Sequence, residues 1–424
     1  MKKLIVASFA AAMMALGGVT LAAPSNAAPE SSYVAGQIIV KFRDGRAAAG
    51  VLGPHGLSDG PGIGSTDAHL IKVPAGKELQ LINALSRNPA VEYAEPDELV
   101  SATTDDTYFG SQYALRNTGQ AFSNNNPDYP VNVAGGTNDA DVDAVEAWTV
   151  TRGNGIRVAI IDSGVANDHE DISQKVVDRA NYSDTVIRPD HPEDYDGYGH
   201  GTHVAGIVAA AHNTVGVAGV CPECTILDAK VLNSAGSGST SRIANGIDWA
   251  VTKDAKVINM SLGQRVSSRT LEAAVNNAWN RGVVIVAAAG NAGTQAKIYP
   301  GAYPNVIAVA ATDNNDVKAS FSTYGKWVDV AAPGVNVYST FPIHPFTLGT
   351  QNGRALRYDI ASGTSMASPI VAGVAALVWS TAAGTANTSV RAKVESTAEP
   401  IFGTGTYWKY GRVNACDAVA CVRP

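Results

Sequence analysis

Residues 156–164, Ile156-Arg157-Val158-Ala159-Ile160-Ile161-Asp162-Ser163-Gly164, form a short β-rich run without polar alternation that stops at a carboxylate and a glycine. A strand with no polar face is buried on both sides, as in a parallel sheet. Residues 225–232, 256–262, 283–289 and 306–311 read the same way, and between these runs residues 203–211, 241–252 and 270–281 carry helical apolar spacing. Strands alternating with helices predict an α/β fold: a parallel sheet covered by helices on both faces. No internal repeat is visible.

Upstream the pattern differs. Residues 37–42 read as a strand, 77–85 as a helix and 90–96 as a strand ending at Pro96, with a Gly-rich stretch at 45–67 read as loops. This predicts a small α+β unit of marginal size, running from about residue 29 to 100. Residues 101–106 are polar, short-sided and aperiodic, which marks an exposed link open to cleavage. At the start, Lys2 and Lys3 precede an apolar run to about Gly17 and small residues at 22–28. That is the form of a cleaved secretory signal, too short to span a bilayer.

Export agrees with the cysteines. Proximity pairs Cys221 with Cys224 and Cys416 with Cys421, although four cysteines allow three pairings. Zinc or redox use of Cys221-Pro-Glu-Cys224 lacks a second CxxC and a thioredoxin-like context. Over 424 residues, 45% are apolar and 16% charged, which suits one large core, and a formal charge of −7 without a basic cluster leaves no footprint for nucleic acid or an anionic membrane.

In open parallel sheets reactive groups gather at the carboxyl ends of strands. Asp162 stands at such an end. His200, in Gly199-His200-Gly201-Thr202-His203, opens an Ala- and Val-rich helix whose dipole favours the neutral ring. A metal pair of His200 with His203 lacks a nearby third ligand in the usual zinc-protease order. Ser365, in Ser362-Gly363-Thr364-Ser365-Met366, lies in the first turn of an apolar helix with small neighbours, and a serine becomes a nucleophile only beside an oriented base. Asn291 ends Ala287-Ala288-Ala289-Gly290-Asn291 and offers an amide donor for an oxyanion. Each has an ordinary reading as a cap or turn; all four on one sheet edge make chance a poor explanation.

The segments IIDSGV, GHGTHVAG, AAAGN and SGTSMASP resemble the motif set of the subtilisin-like serine proteases, the subtilases, and the order Asp, His, Ser separates the chain from α/β-hydrolases, which need a GxSxG elbow. The stretches AVNNAWNRG, SFSTYGKWVDVAAPG and GTGTYWKYGRVNA resemble the thermitase-like members, from about Asp106 onward. The resemblance implies Ser365 as nucleophile, His200 as general base then acid, Asp162 as its orienter and Asn291 as oxyanion donor. It implies Ser261, Leu262 and Gly263 facing Ala288, Ala289 and Gly290 across the pocket for the residue before the cut, and Gly236, Ser237 and Gly238 pairing with substrate backbone. Apolar walls there favour apolar or aromatic side chains. An approach of Lys297 would admit acids, but a solvated surface lysine is the plainer expectation.

By the same resemblance, residues 1–28 are a signal peptide, 29–104 an inhibitory propeptide that assists folding, and 105–424 the peptidase domain. A structural Ca2+ is expected at Asp106, Asp171, Ala211, Asn213, Val215 and Val217; the acidic loop around Asp190, Asp194 and Asp196 offers a second, weaker site, though such loops are usually just solvated. The expected product is a secreted, monomeric, self-processing endopeptidase acting on proteins or peptides. A secreted esterase using the same triad and an inactive binding protein on the same scaffold are the rival readings. Two departures from the family pattern are Ile370, where relatives often carry His, and the long acidic loop 183–198.

Overall fold

The computed structural model describes residues 33–43, 48–98 and 106–422, which fall into two compact units dividing between Val100 and Ser101. The signal segment 1–28 and the link up to residue 105 lie outside the described residues.

In the first unit the strand Tyr33–Phe42 lies between Ala68–Lys72 and Val91–Glu98, antiparallel to both. Its side chains alternate in burial at the C-terminal end, where Ile38, Val40 and Phe42 enter a core with Leu52, Ile71 and Leu85. The stretch expected as loops contains a short helix, Ala48–Leu52, which places Val51 and Leu52 in that core. The final strand passes Pro96 instead of ending there. It is an edge strand, so the missing N–H leaves no ladder bond unmade on its open side.

The second unit is built on an eight-stranded, wholly parallel sheet in the order Gly411–Arg412, Val330–Pro333, Ile307–Thr312, Val284–Ala288, Val257–Met260, Arg157–Asp162, Thr225–Lys230, Val176–Asn181. All five sequence-predicted strands are in it. Successive side chains feed two cores. Val158, Ile160, Val284 and Val286 meet the helices His200–Ala209 and Thr364–Trp379 on one face, while Ala159, Ile161, Ile285 and Ala287 meet Thr240–Thr252 and Arg269–Asn280 on the other. From Arg157–Asp162 the chain builds two strands to one side and then crosses to Val257–Met260 on the other. That reversal opens a crevice at the carboxyl ends, beside Asp162.

Cys221–Cys224 and Cys416–Cys421 are disulfide-bonded. Among the described residues no helix is long and apolar enough to cross a membrane.

Candidate active site

Asp162 closes its strand fully buried, and its Oδ1 accepts from the Ser163 N–H at 2.7 Å and lies 2.8 Å from Nδ1 of His200. His200 opens its helix three residues earlier than periodicity alone suggests, because the cap comes from elsewhere. Buried Asp196 accepts the Gly199 N–H at 2.8 Å, the Thr202 N–H at 2.9 Å, the Thr202 hydroxyl at 2.6 Å and the Ser163 hydroxyl at 2.8 Å. Gly199 itself has φ +94°, and a Cβ there would stand 2.2 Å from the Phe346 ring, so no other residue fits.

Burial of the His200 ring opposes its protonation and is the largest influence. The Asp162 carboxylate, by charge and hydrogen bond together and with Asp196 behind it, outweighs burial and lifts His200 above the ordinary histidine value. The helix-end field expected to keep this ring neutral is thus overridden by two carboxylates. His203 is no metal partner to it. Its Nε2 faces the Asp359 carbonyl at 3.3 Å, its ring packs on Phe341, and burial drives it down to about 3.

Ser365 is the second residue of Thr364–Trp379, so its N–H is among the helix amides without an intrahelical acceptor. Pro369, four residues on, has no N–H to give the Ser365 carbonyl. The Ser261 hydroxyl supplies one at 2.8 Å, and the Ser365 hydroxyl donates in return to the Ser261 carbonyl at 3.1 Å. Behind them Asn259 Nδ2 donates to Ser261 Oγ at 3.0 Å, and Ser368 Oγ donates to Asn259 Oδ1 at 2.6 Å. This buried chain ties the helix to the strand Val257–Met260. No motif in the sequence announced it.

Asn291 Oδ1 accepts both the Thr364 N–H (2.9 Å) and the Thr364 hydroxyl (3.0 Å). With the oxygen so engaged, the amide is oriented and its NH2 group is left on the Gly363 and Ser365 side. His200, Asn291 and Ser365 line one cavity of about 300 Å³ together with Phe341, Leu348 and Arg354.

Two further cavities open from the same centre. One, of about 360 Å³, has Gly236, Ser237 and Gly238 on one wall and Ser261, Leu262 and Gly263 on the other. The other, of about 440 Å³, is lined by Ser261–Gly263, by Ala288, Gly290 and Asn291, and by Ile298 and Ser365. Ala289 is a correction: strand alternation turns its side chain away into the core with Ala308, Val328 and Trp408. Lys297 is exposed and Ile298, which the sequence reading passed over, lines the cavity instead.

Asp106 and Asp171, both buried, converge on the loop that follows Ala209. Asp106 Oδ1 accepts the N–H groups of Asn213 and Thr214 at 3.0 Å, while Asp171 accepts from the Asn213 amide at 3.3 Å and the Val217 N–H at 2.9 Å. Burial, with the charges of Asp106 and Glu170 added, pushes the Asp171 carboxyl up to about 7. Two buried carboxylates, the charge of Asp106 helping to raise Asp171, set beside the backbone of this loop have the charge and donor chemistry a hard cation requires. The acidic loop is different. Asp194 forms a two-point pair with Arg188 and Asp196 is consumed in the helix cap, so two of the three carboxylates of that weaker site are already taken.

The subtilase family model matches residues 153–415, and the fervidolysin N-terminal prodomain model matches residues 20–97. A thermophilic serine proteinase of a Bacillus species is 42% identical over 92% of this chain and 88% of its own. Thermitase of Thermoactinomyces vulgaris is 49% identical over 66% of this chain and 93% of its own. Among solved structures, one of proteases from Pseudoalteromonas arctica aligns with TM-score 0.60 at 30% identity, over 75% of this chain and 99% of that one. Taken with a histidine held between a buried carboxylate and a serine-lined crevice, these likenesses place the chain in the subtilase family, as a subtilisin-like serine endopeptidase preceded by a prodomain.

Proposed function

We propose that the chain is a secreted, self-processing zymogen whose mature form cuts proteins through an acyl-enzyme. The observation that carries this is the single cavity holding His200, already 2.8 Å from Asp162, with Ser365 and the oriented Asn291 amide. Ser365 Oγ turns from the Ser261 carbonyl toward His200 when substrate enters; His200 removes its proton as it attacks the scissile carbonyl. Asp162 holds the ring and stabilises the imidazolium that forms. Asn291 Nδ2 and the Ser365 N–H receive the oxyanion, a contribution of about 3 kcal/mol per donor in such sites. His200 then protonates the departing nitrogen, and water repeats the sequence to release the acyl group.

The segment before the cut runs as an added strand against 236–238 and 261–263. Its last side chain enters between Leu262 and Ile298, which favours an apolar or aromatic residue. Residues 1–28 direct export, 29–104 assist folding and inhibit, and self-cleavage falls between about 101 and 106. The fervidolysin-like prodomain supports that division. Asp106, Asp171, Asn213 and the carbonyls of Ala211, Val215 and Val217 would hold calcium, whose charge would neutralise the two buried carboxylates and fix the loop.

Ser365→Ala tests the reading. Casein hydrolysis is expected to fall by about a million-fold, the size of loss seen when the triad serine is removed from a subtilisin. Mass spectrometry should find residues 29–104 still covalently attached. Substantial activity in the pure, folded variant defeats the assignment.

A further inference from the structure

The cavity of about 300 Å³ holds Ser365 and includes none of the walls at 236–238 and 261–263, meeting the cavity they line only at Tyr198 and His200. Because His200 must deliver a proton to the departing nitrogen, the segment after the cut leaves on His200's side, into this cavity. Its outer wall carries Leu348, Asn352 and Arg354, from the short helix Thr347–Asn352 and the residues after it.

Arg354 is half-buried there, and among the described residues its guanidinium makes no ion pair and no hydrogen bond. The contrast with Arg357, three residues on, is direct: that side chain reaches Glu170 at 2.8 Å. Nearby carboxylates are engaged elsewhere. Asp162 holds His200, and Asp359 accepts from Asn124, Asn126 and the N–H groups of Ala355 and Ile360. The position of Arg354 does not depend on its side chain, because its N–H is tied to the Gly349 carbonyl at 3.0 Å. Its charge reaches the cavity floor: His203, held low first by burial, is pushed further by the His200 and Arg354 charges.

We propose that Arg354 selects substrates carrying Asp or Glu within the first two residues after the cut. The inference rests on the endopeptidase reading and adds to it a choice of substrate class on the leaving side. A guanidinium open to solvent on one side gives a modest preference, about threefold to fivefold in kcat/KM, that fades as salt rises.

The test uses enzyme matured from the full chain and internally quenched peptides identical except for Glu, Gln or Lys at the first or second position after a cut site fixed by mass spectrometry. The parent should favour Glu over Gln at one of the two positions. Arg354→Gln should bring that ratio to one, and Arg354→Glu should turn it toward Lys. Equal rates for Glu and Gln in the parent, or a Glu preference that survives in Arg354→Gln, overturn the proposal while leaving the endopeptidase reading intact. Failure to hydrolyse any of the peptides defeats both.

Discussion

The N-terminal unit buries one face of a three-stranded sheet, whereas the parallel-sheet unit buries both faces of eight strands. In the strand Tyr33–Phe42 only alternate residues reach the core, but in Arg157–Asp162 every residue after the first is buried. The first unit therefore depends on a single core cluster of ten buried apolar side chains among those described, and each is a large share of its stability. The second spreads the same dependence over two cores. On the proposed function, a segment needed only while its neighbour folds can be marginal, whereas the one that remains as the mature enzyme cannot.

The largest test of this difference is to remove one side chain from each region. Ile38 and Ile285 are both fully buried. Truncation to Ala costs about 2–5 kcal/mol at either place. For a unit of about 70 residues that approaches the whole of its stability. Ile38→Ala is expected to cut the yield of mature enzyme more than tenfold while the enzyme that does mature keeps its kcat/KM. Ile285→Ala is expected to leave maturation in place and lower the melting temperature. Equal effects on yield would erase the distinction.

A smaller effect concerns the metal, which would act on the parallel-sheet unit alone. At a hundred times its dissociation constant an ion bound only to the native state adds about 2.7 kcal/mol. Differential scanning calorimetry of Ser365→Ala should show chelation lowering the melt of that unit by roughly 5 °C. Asp171→Asn should lower it similarly and remove the response to chelator. A melting temperature unchanged after verified metal removal would sink the calcium assignment.

The smallest effect is on pH. Because the folded site lifts His200 above the ordinary histidine value and only the neutral ring can act as base, the acid limb of kcat/KM lies above pH 6.5, the unperturbed value. Asp196→Asn removes one of the charges that favour imidazolium, so the limb should move to lower pH in the cleavage of a neutral peptide. A limb that stays in place would show that Asp196 acts on His200 only through the helix cap.

What could be read ahead of the structure was whatever periodicity or a local motif records. The buried runs at 156–161, 225–232, 256–262, 283–289 and 306–311 announced themselves because a strand covered on both faces cannot afford polar residues. Val176–Asn181 did not, since as an edge strand it carries Asp178, Arg179 and Asn181. Ala48–Leu52 is too short to show helical spacing, and the early start of the helix at His200 is set by Asp196, outside the usual cap position. Among the candidate site residues, Asp162, His200, Asn291 and Ser365 sit in motifs whose small neighbours betray a close approach of backbone. Ile298 and Arg354 come from loops and Leu348 from a six-residue helix, and only tertiary folding brings them to the cavities.

Pro369 leaves the Ser365 carbonyl without its helical donor, and Ser261 takes that place from just beyond the end of a central strand. A helix end ordinarily frays before the rest of a protein melts, since few bonds hold it. Here the turn bearing the Ser365 hydroxyl is moored to the middle of the sheet through Ser261, Asn259 and Ser368. This turn is therefore expected to stay in place on heating until the sheet itself gives way.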